Sequence, residues 1–252
     1  MSTEFSDNEM TRNPTIIAIG GGGFTHNKDP ELDHSCLSYA QRRAGIDASG
    51  VFAEPSIGFV GLASDDDLTK ITRFYERFEA VATCSHLPAH SDFHETQYWC
   101  TGLDLIYFGG GNTKNFIERM QKSRIDQLFY AAYQAGTVIA GVSAGAGCWF
   151  TQILSDSSGA GLLPLAGLGW IKESLCPHYS EEPYRRPVFE AGIASSEFSA
   201  GYAIDDGAAI ILEKGQATGY VTARQNAAAY FIRQNKASTE TMTLDEVRNV
   251  PL

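Results

Sequence analysis

Short, nearly continuous apolar runs alternate along this chain with longer stretches in which apolar residues recur at helical spacing. The runs are Thr15-Ile-Ile-Ala-Ile19, residues 55–62, Asp104-Leu-Ile-Tyr-Phe108 and Thr137-Val-Ile-Ala140. A strand that is apolar on both faces is buried on both, as in a parallel sheet covered by helices. Between and after the runs the pattern predicts helices over residues 31–44, 64–81, 115–121 and 126–135. Ser64 is placed to cap the second, with Asp65, Asp66 and Asp67 in its first turn, where the helix dipole favours acids. Asn112 or Thr113 can cap the third. Four strand–helix alternations before the small-residue stretch at 140–147 predict an α/β protein built on a doubly wound, mostly parallel sheet.

Further along, residues 183–195 predict a helix with Pro187 near its start, and residues 201–212 predict two short strands around an acidic turn. Gly219-Tyr-Val221 and Ala228-Ala-Tyr-Phe-Ile232 add later strands, and the last twenty residues are polar and patternless. No repeat or Pro/Ser-rich linker divides the chain. A single domain is therefore expected over residues 15–252, after a polar, acidic and disordered leader at residues 1–14.

Composition narrows the function more than the fold. The 252 residues carry a net charge of −11, which argues against nucleic acid or an anionic membrane as a partner, because phosphate binding needs clustered Lys and Arg. No apolar run approaches the roughly 18 residues that span a bilayer. The N-terminus resembles neither a secretory signal nor a transit peptide, and the five scattered cysteines form no C-x-x-C. Reduced thiols and a cytoplasmic location are the expectation. His86, His90 and His94 would align for a metal on one helix, but Pro88 interrupts them and no partner ligand stands nearby; neither metal nor cofactor is expected. Gly20-Gly-Gly-Gly23 fails the dinucleotide pattern at Thr25, so these glycines are expected to let the backbone run close beside a cleft.

Gly141-Val-Ser143-Ala-Gly145 fits G-x-S-x-G, the nucleophile elbow that exposes a serine on a tight strand-to-helix turn. A serine that merely caps a helix fits it too. A nucleophilic serine needs a general base oriented by a carboxylate. His178, in a proline-preceded loop, is the one histidine downstream of Ser143, and Asp205-Asp206-Gly207 offers a carboxylate, or an ordinary Asp-Gly turn. The order Ser, His, Asp differs from that of α/β-hydrolases.

Gly109-Gly-Gly-Asn-Thr113, Ala140-Gly-Val-Ser-Ala-Gly-Ala146, Pro177-His178 and Ile204-Asp-Asp-Gly207 together resemble the peptidase E family. These are serine peptidases that include α-aspartyl dipeptidase, with cyanophycinase as a relative; the resemblance spans residues 15–232. It implies a flavodoxin-like sheet akin to class I glutamine amidotransferases, with serine in place of their cysteine. Ser143 matches the nucleophile, His178 the general base, and Gly111 and Ala144 the N–H donors of the oxyanion hole. Asp206 falls where the dipeptidase branch often has glutamate, with Asp205 and Asp156 as alternatives for the third member. The implied substrates are short peptides, in particular dipeptides with N-terminal aspartate. Arg185 and Arg186 are candidates to pair with its carboxylate, and Asn112 is a further candidate contact. A broader or cyanophycin-like substrate range, or a non-catalytic binding homologue, are the alternatives. A homodimer is a candidate assembly.

Overall fold

A computed structural model describes residues 13–46, 50–236 and 238–244 of the chain; all but the last two residues of the expected leader lie outside them. Five parallel strands form its centre: β1 (Thr15–Ile19), β2 (Ser56–Val60), β3 (Thr83–Leu87), β4 (Leu105–Phe108) and β5 (Val138–Val142). They are joined by α1 (Pro30–Ala44), α2 (Leu68–Phe78), α3 (Phe93–Cys100), and the pair α4 (Thr113–Ser123) and α5 (Ile125–Gln134). The one-turn α6 (Ala144–Gly147) follows β5. The spatial order is β3-β2-β4-β5-β1, extended by antiparallel β10 (Ala208–Glu213) and β11 (Gln216–Thr222). Alternate residues of the parallel strands enter two separate cores. Ile16 and Ala18 pack on one side with Phe108, Trp149 and Phe150, while Ile17 and Ile19 pack on the other with Phe24, Phe59 and Phe74. That division is the period-two geometry of a strand covered on both faces, and it is why these runs are continuously apolar.

Two elements escape the hydrophobic pattern. The edge strand β3 reads Thr-Cys-Ser-His-Leu and is only half-buried, so it has no apolar run to betray it. It also puts His86 on a strand, bonded to the Tyr75 hydroxyl at 3.0 Å, whereas His94 lies on α3. α3 is started by an Asp92–Glu95 capping box. The start of α2 also moves: Asp67 caps it through the Thr69 N–H at 2.8 Å, and Ser64 belongs to a preceding 3-10 turn. Asp65 and Asp66 have positive φ in that turn and cannot be helical.

The second half of the chain builds another sheet, of which the pattern foresaw only the strands at the start of residues 201–212 and at 228–232. Its strands are β6 (Phe150–Ser155), β7 (Leu163–Ala166), β8 (Ile171–Pro177), β9 (Gly201–Ile204), β12 (Ala229–Asn235) and β13 (Ser238–Thr243), in the order β13-β12-β9-β8-β6-β7. β13 lies within the polar C-terminal stretch that gave no signal. α7 (Arg185–Ala194) covers one face through Phe189 and Ile193, against Leu154, Cys176 and Ala203. Phe150, Leu175 and Tyr202 join the same core as Ile16 and Phe108, so apolar packing runs unbroken from one sheet to the other. The chain crosses between the sheets at residues 205–207, between β9 and β10.

Candidate active site

Ser143 sits at the tip of β5 with φ 55° and ψ −111°, a conformation that non-glycine residues rarely adopt. Such a backbone costs of order 1–3 kcal/mol and persists only where its surroundings impose it. Here they do. The Ser143 N–H donates to the Ile19 carbonyl at 3.0 Å, and its own carbonyl accepts from Ala146 and Gly147 at 3.1 and 2.9 Å. A Cβ on Gly141 would collide with the Gly145 carbonyl, and one on Gly145 with that of Phe108. The pentapeptide therefore needs both glycines. The helix beyond the elbow is a single turn, too short for a substantial macrodipole. What it offers is the backbone N–H of Ala144, which has no hydrogen-bond partner among the described residues.

His178 arrives from the other sheet. It follows directly on Pro177 at the end of β8, with φ 54°, and the turn is pinned by Tyr179 N–H to the Ile204 carbonyl at 3.1 Å. Its Nε2 lies 2.8 Å from Ser143 Oγ and its Nδ1 2.5 Å from Asp206 Oδ1. Asp206 stands in the crossing segment and forms an isolated parallel bridge with Gly21, reinforced by Gly207 N–H to the Gly21 carbonyl at 2.8 Å. A Cβ on Gly21 would strike the Asp206 carboxylate and come within 2.8 Å of His178 Nδ1. The glycine run after β1 is thus the wall against which His178 and Asp206 are packed.

Burial opposes ionisation of Asp206, but the hydrogen bond and charge of His178, with the charges of His26 and Arg224, outweigh it and hold the carboxyl below its ordinary range. The ionised carboxylate can only accept, so Nδ1 carries the proton and Nε2 is left to accept from the Ser143 hydroxyl. That chain of donors and acceptors runs Ser143 to His178 to Asp206. The two other candidate acids lie elsewhere. Asp205 is buried and accepts from Ala228 N–H at 3.0 Å and the Tyr230 hydroxyl at 3.4 Å. Asp156 is exposed in the turn after β6.

The residues expected to touch substrate have other engagements. Arg185 is buried, with Nε on Glu182 at 2.5 Å and Nη1 on the Leu154 carbonyl at 3.0 Å. Arg186 is exposed, paired with Glu190 at 3.1 Å, and lies over the Tyr179 ring. Asn112 caps α4 through Asn115 N–H at 2.9 Å, and its Nδ2 reaches the Ser157 carbonyl at 3.4 Å. The Gly111 N–H, like that of Ala144, has no partner among the described residues. Cys176, two residues before His178, is buried and its thiol is pushed up by that burial, which leaves it inert.

Several neighbours of the site had no signal in the sequence. Glu181 accepts from Asp206 N–H at 2.9 Å, and burial raises its carboxyl. Arg224 grips Asp29 with two bonds, at 2.8 and 2.6 Å. The first pair joins residues 25 positions apart and the second 195, and nothing local announces either. Lys70, Arg73 and Arg77 are different, because their spacing alone puts them on one side of α2. Lys70 Nζ reaches the Gly110 carbonyl at 2.9 Å in the loop after β4, Arg73 reaches the Thr25 carbonyl at 2.9 Å in a 3-10 turn after β1, and Arg77 pairs with Asp33 of α1 at 3.4 Å.

The fold and the sequence have relatives. The crystal structure of a peptidase from an acI-B1 Actinobacterium superposes with a TM-score of 0.68 at 16% identity, covering 93% of this chain and 98% of that one. That of a candidate peptidase E protein from Listeria monocytogenes EGD-e gives 0.59 at 18% identity, covering 82% and 98%. These likenesses establish the flavodoxin-like α/β fold. In sequence, the chain is 36% identical over 243 residues to the uncharacterized peptidase YgaJ of Bacillus subtilis (strain 168), covering 94% of this chain and 96% of the relative. The sequence model of peptidase family S51 matches residues 39–219. With its serine elbow, its mixed sheet and this match over most of its length, the chain belongs to peptidase family S51.

Proposed function

We propose that the protein is a serine peptidase of short peptides, with Ser143 as nucleophile, His178 as general base and Asp206 as the carboxylate that orients it. One observation carries the reading: His178 bridges Ser143 Oγ at 2.8 Å and Asp206 Oδ1 at 2.5 Å, one ring nitrogen to each. Nε2 takes the hydroxyl proton as Oγ attacks the peptide carbonyl, and the imidazolium that forms is held against the ionised Asp206. The oxyanion of the tetrahedral intermediate is received by the Gly111 and Ala144 N–H groups. Loss of one such donor typically costs roughly 10²–10³ in rate. His178 then gives the proton to the leaving amine, and water repeats the sequence on the acyl-serine.

For substrate, the reading is dipeptides with N-terminal aspartate, supported by the resemblance of the glycine loop and elbow to the branch that contains α-aspartyl dipeptidase. A dipeptide-library digest tests the reading. Release of amino acids from Asp-X peptides by wild type, and none by Ser143→Ala, is the expected result. Equal cleavage across first residues points to a broader peptidase, and no cleavage with no fluorophosphonate adduct on Ser143 sinks the catalytic reading.

A further inference from the structure

The peptide group between Gly110 and Gly111 is held in an unusual way. On either side of it the backbone is tied down by other backbone: Gly109 N–H donates to the Val60 carbonyl at 3.0 Å, and Asn112 N–H to the Ala63 carbonyl at 2.8 Å. The 110–111 peptide itself has no backbone partner among the described residues. Its carbonyl oxygen is taken instead by the Lys70 ammonium at 2.9 Å, forty residues earlier in the chain. With a glycine on each side, no Cβ restrains rotation of this peptide, so whatever holds it sets its orientation.

The oxygen that Lys70 holds and the nitrogen of Gly111 belong to one peptide unit. No peptide bond among the described residues is cis. In a trans unit the C=O and N–H point in opposite directions, so a cation on the oxygen turns the N–H away from itself. The unit also lies against the nucleophile: a Cβ on Gly110 would be 3.3 Å from Ser143 Cβ and 3.2 Å from the Val142 carbonyl. A charge-assisted hydrogen bond is stronger than a neutral one, and polarising the carbonyl makes the N–H at the other end a better donor.

Lys70 gains little in stability from this arrangement. It is half-buried, and burial lowers its pKa, with only Asp67 on its own helix opposing the shift. No carboxylate pairs with it among the described residues. Drawing an ammonium partly out of water without a counter-charge costs free energy, and the Gly110 carbonyl is what it receives in return. Arg73 and Arg77, from the same side of α2, fasten the turn after β1 at the Thr25 carbonyl and α1 at Asp33.

We infer that Lys70 is a positioning residue for acyl transfer: its ammonium fixes and polarises the Gly110–Gly111 peptide so that the Gly111 N–H meets the oxyanion. The inference rests on the reading of Gly111 as an oxyanion donor. It is tested by the rate at which a fluorophosphonate labels Ser143, because the phosphoryl oxygen takes the place of the oxyanion, together with kcat and KM on the best dipeptide. Lys70→Met should slow labelling and kcat by roughly 10–100-fold, less than deletion of the donor itself, while KM stays within about threefold. Lys70→Arg, which keeps a charged donor, should return both to within about threefold of wild type. Melting curves accompany each variant, and Lys70→Gln is measured in parallel so that a folding defect peculiar to methionine does not decide the outcome. Wild-type rates in the folded Met and Gln variants overturn the role of Lys70 and leave the serine mechanism intact. Equal slowing in Met and Arg variants also overturns it, because loss of packing, unlike loss of charge, is not rescued by arginine. Absence of any label on wild-type Ser143 removes the serine mechanism itself, and the role of Lys70 with it.

Discussion

The assignment of Asp206 makes a demanding prediction. Asp206→Asn keeps the size of the side chain and removes its charge, 2.5 Å from His178 Nδ1. In the proposed mechanism, attack by Ser143 creates an imidazolium whose charge centre lies about 4 Å from that of the carboxylate. At an effective dielectric constant of about 20, appropriate to a partly exposed pair, two unit charges at that distance attract by roughly 4 kcal/mol. At about 1.4 kcal/mol per decade this is roughly 10³ in rate. If the amide nitrogen turns towards Nδ1, the proton is displaced to Nε2 and the imidazole cannot accept from serine, which brings the loss nearer 10⁴. The effect belongs in kcat, since the ground-state substrate meets no new charge. Steady-state kinetics at about pH 7.5 measure it, with the melting temperature as control for folding. The carboxyl is held below its ordinary value of 3.8, so it stays ionised until the pH falls through that lowered value, and the comparison is made at fixed charge. The matching control is Asp205→Ala. It strands the Ala228 N–H that Asp205 accepts at 3.0 Å, and should cost about 1–3 kcal/mol of stability with less than about tenfold in kcat. Retention of kcat within about tenfold in folded Asp206→Asn, or a larger kcat loss in Asp205→Ala, would remove Asp206 as the carboxylate that orients His178.

Two further outcomes follow from strain and burial. Ser143→Gly and Ser143→Ala should both be inactive, but the glycine variant should be the more stable by about 1 kcal/mol, because φ 55° and ψ −111° cost glycine nothing; a lower melting temperature for Ser143→Gly than for Ser143→Ala counts against stored strain. Asp33 is fully buried, and desolvation, only partly offset by the Phe24 N–H and Arg77, raises its carboxyl from 3.8 to about 7. A raised carboxylate favours the folded state when protonated, so its contribution falls as pH climbs from about 4 to about 7, by up to about 1.4 kcal/mol per pH unit. Asp33→Asn should therefore gain on wild type in melting temperature between about pH 4 and pH 7, and parallel curves would show that Asp33 does not titrate in this range.

Much of this protein was legible before any coordinates. Strands β1, β2, β4 and β5 announce themselves because they are buried on both faces, and that double burial can be met only by apolar side chains. The elbow is equally local: Gly141 and Gly145 are there because their neighbours leave no room for a Cβ, so the constraint is written within five residues. His178 could be named by elimination, being the one histidine after Ser143. Where burial is one-sided or partial, the signal fades. Edge strand β3 and the strands β8 and β12 of the second sheet mix polar and apolar residues, because one face or one end of each meets water. How the pieces meet is set by packing over long range. Ser143 comes from one sheet, His178 from the other, and Asp206 from the segment that passes between them. Choosing Asp206 over its neighbour Asp205 depends on which way each side chain leaves that segment, and adjacent residues in an extended chain point to opposite sides. The grip of Lys70 on Gly110 and of Arg224 on Asp29 depends likewise on long-range packing. Local sequence sets what a residue can do; the distance between two sheets sets what it does it to.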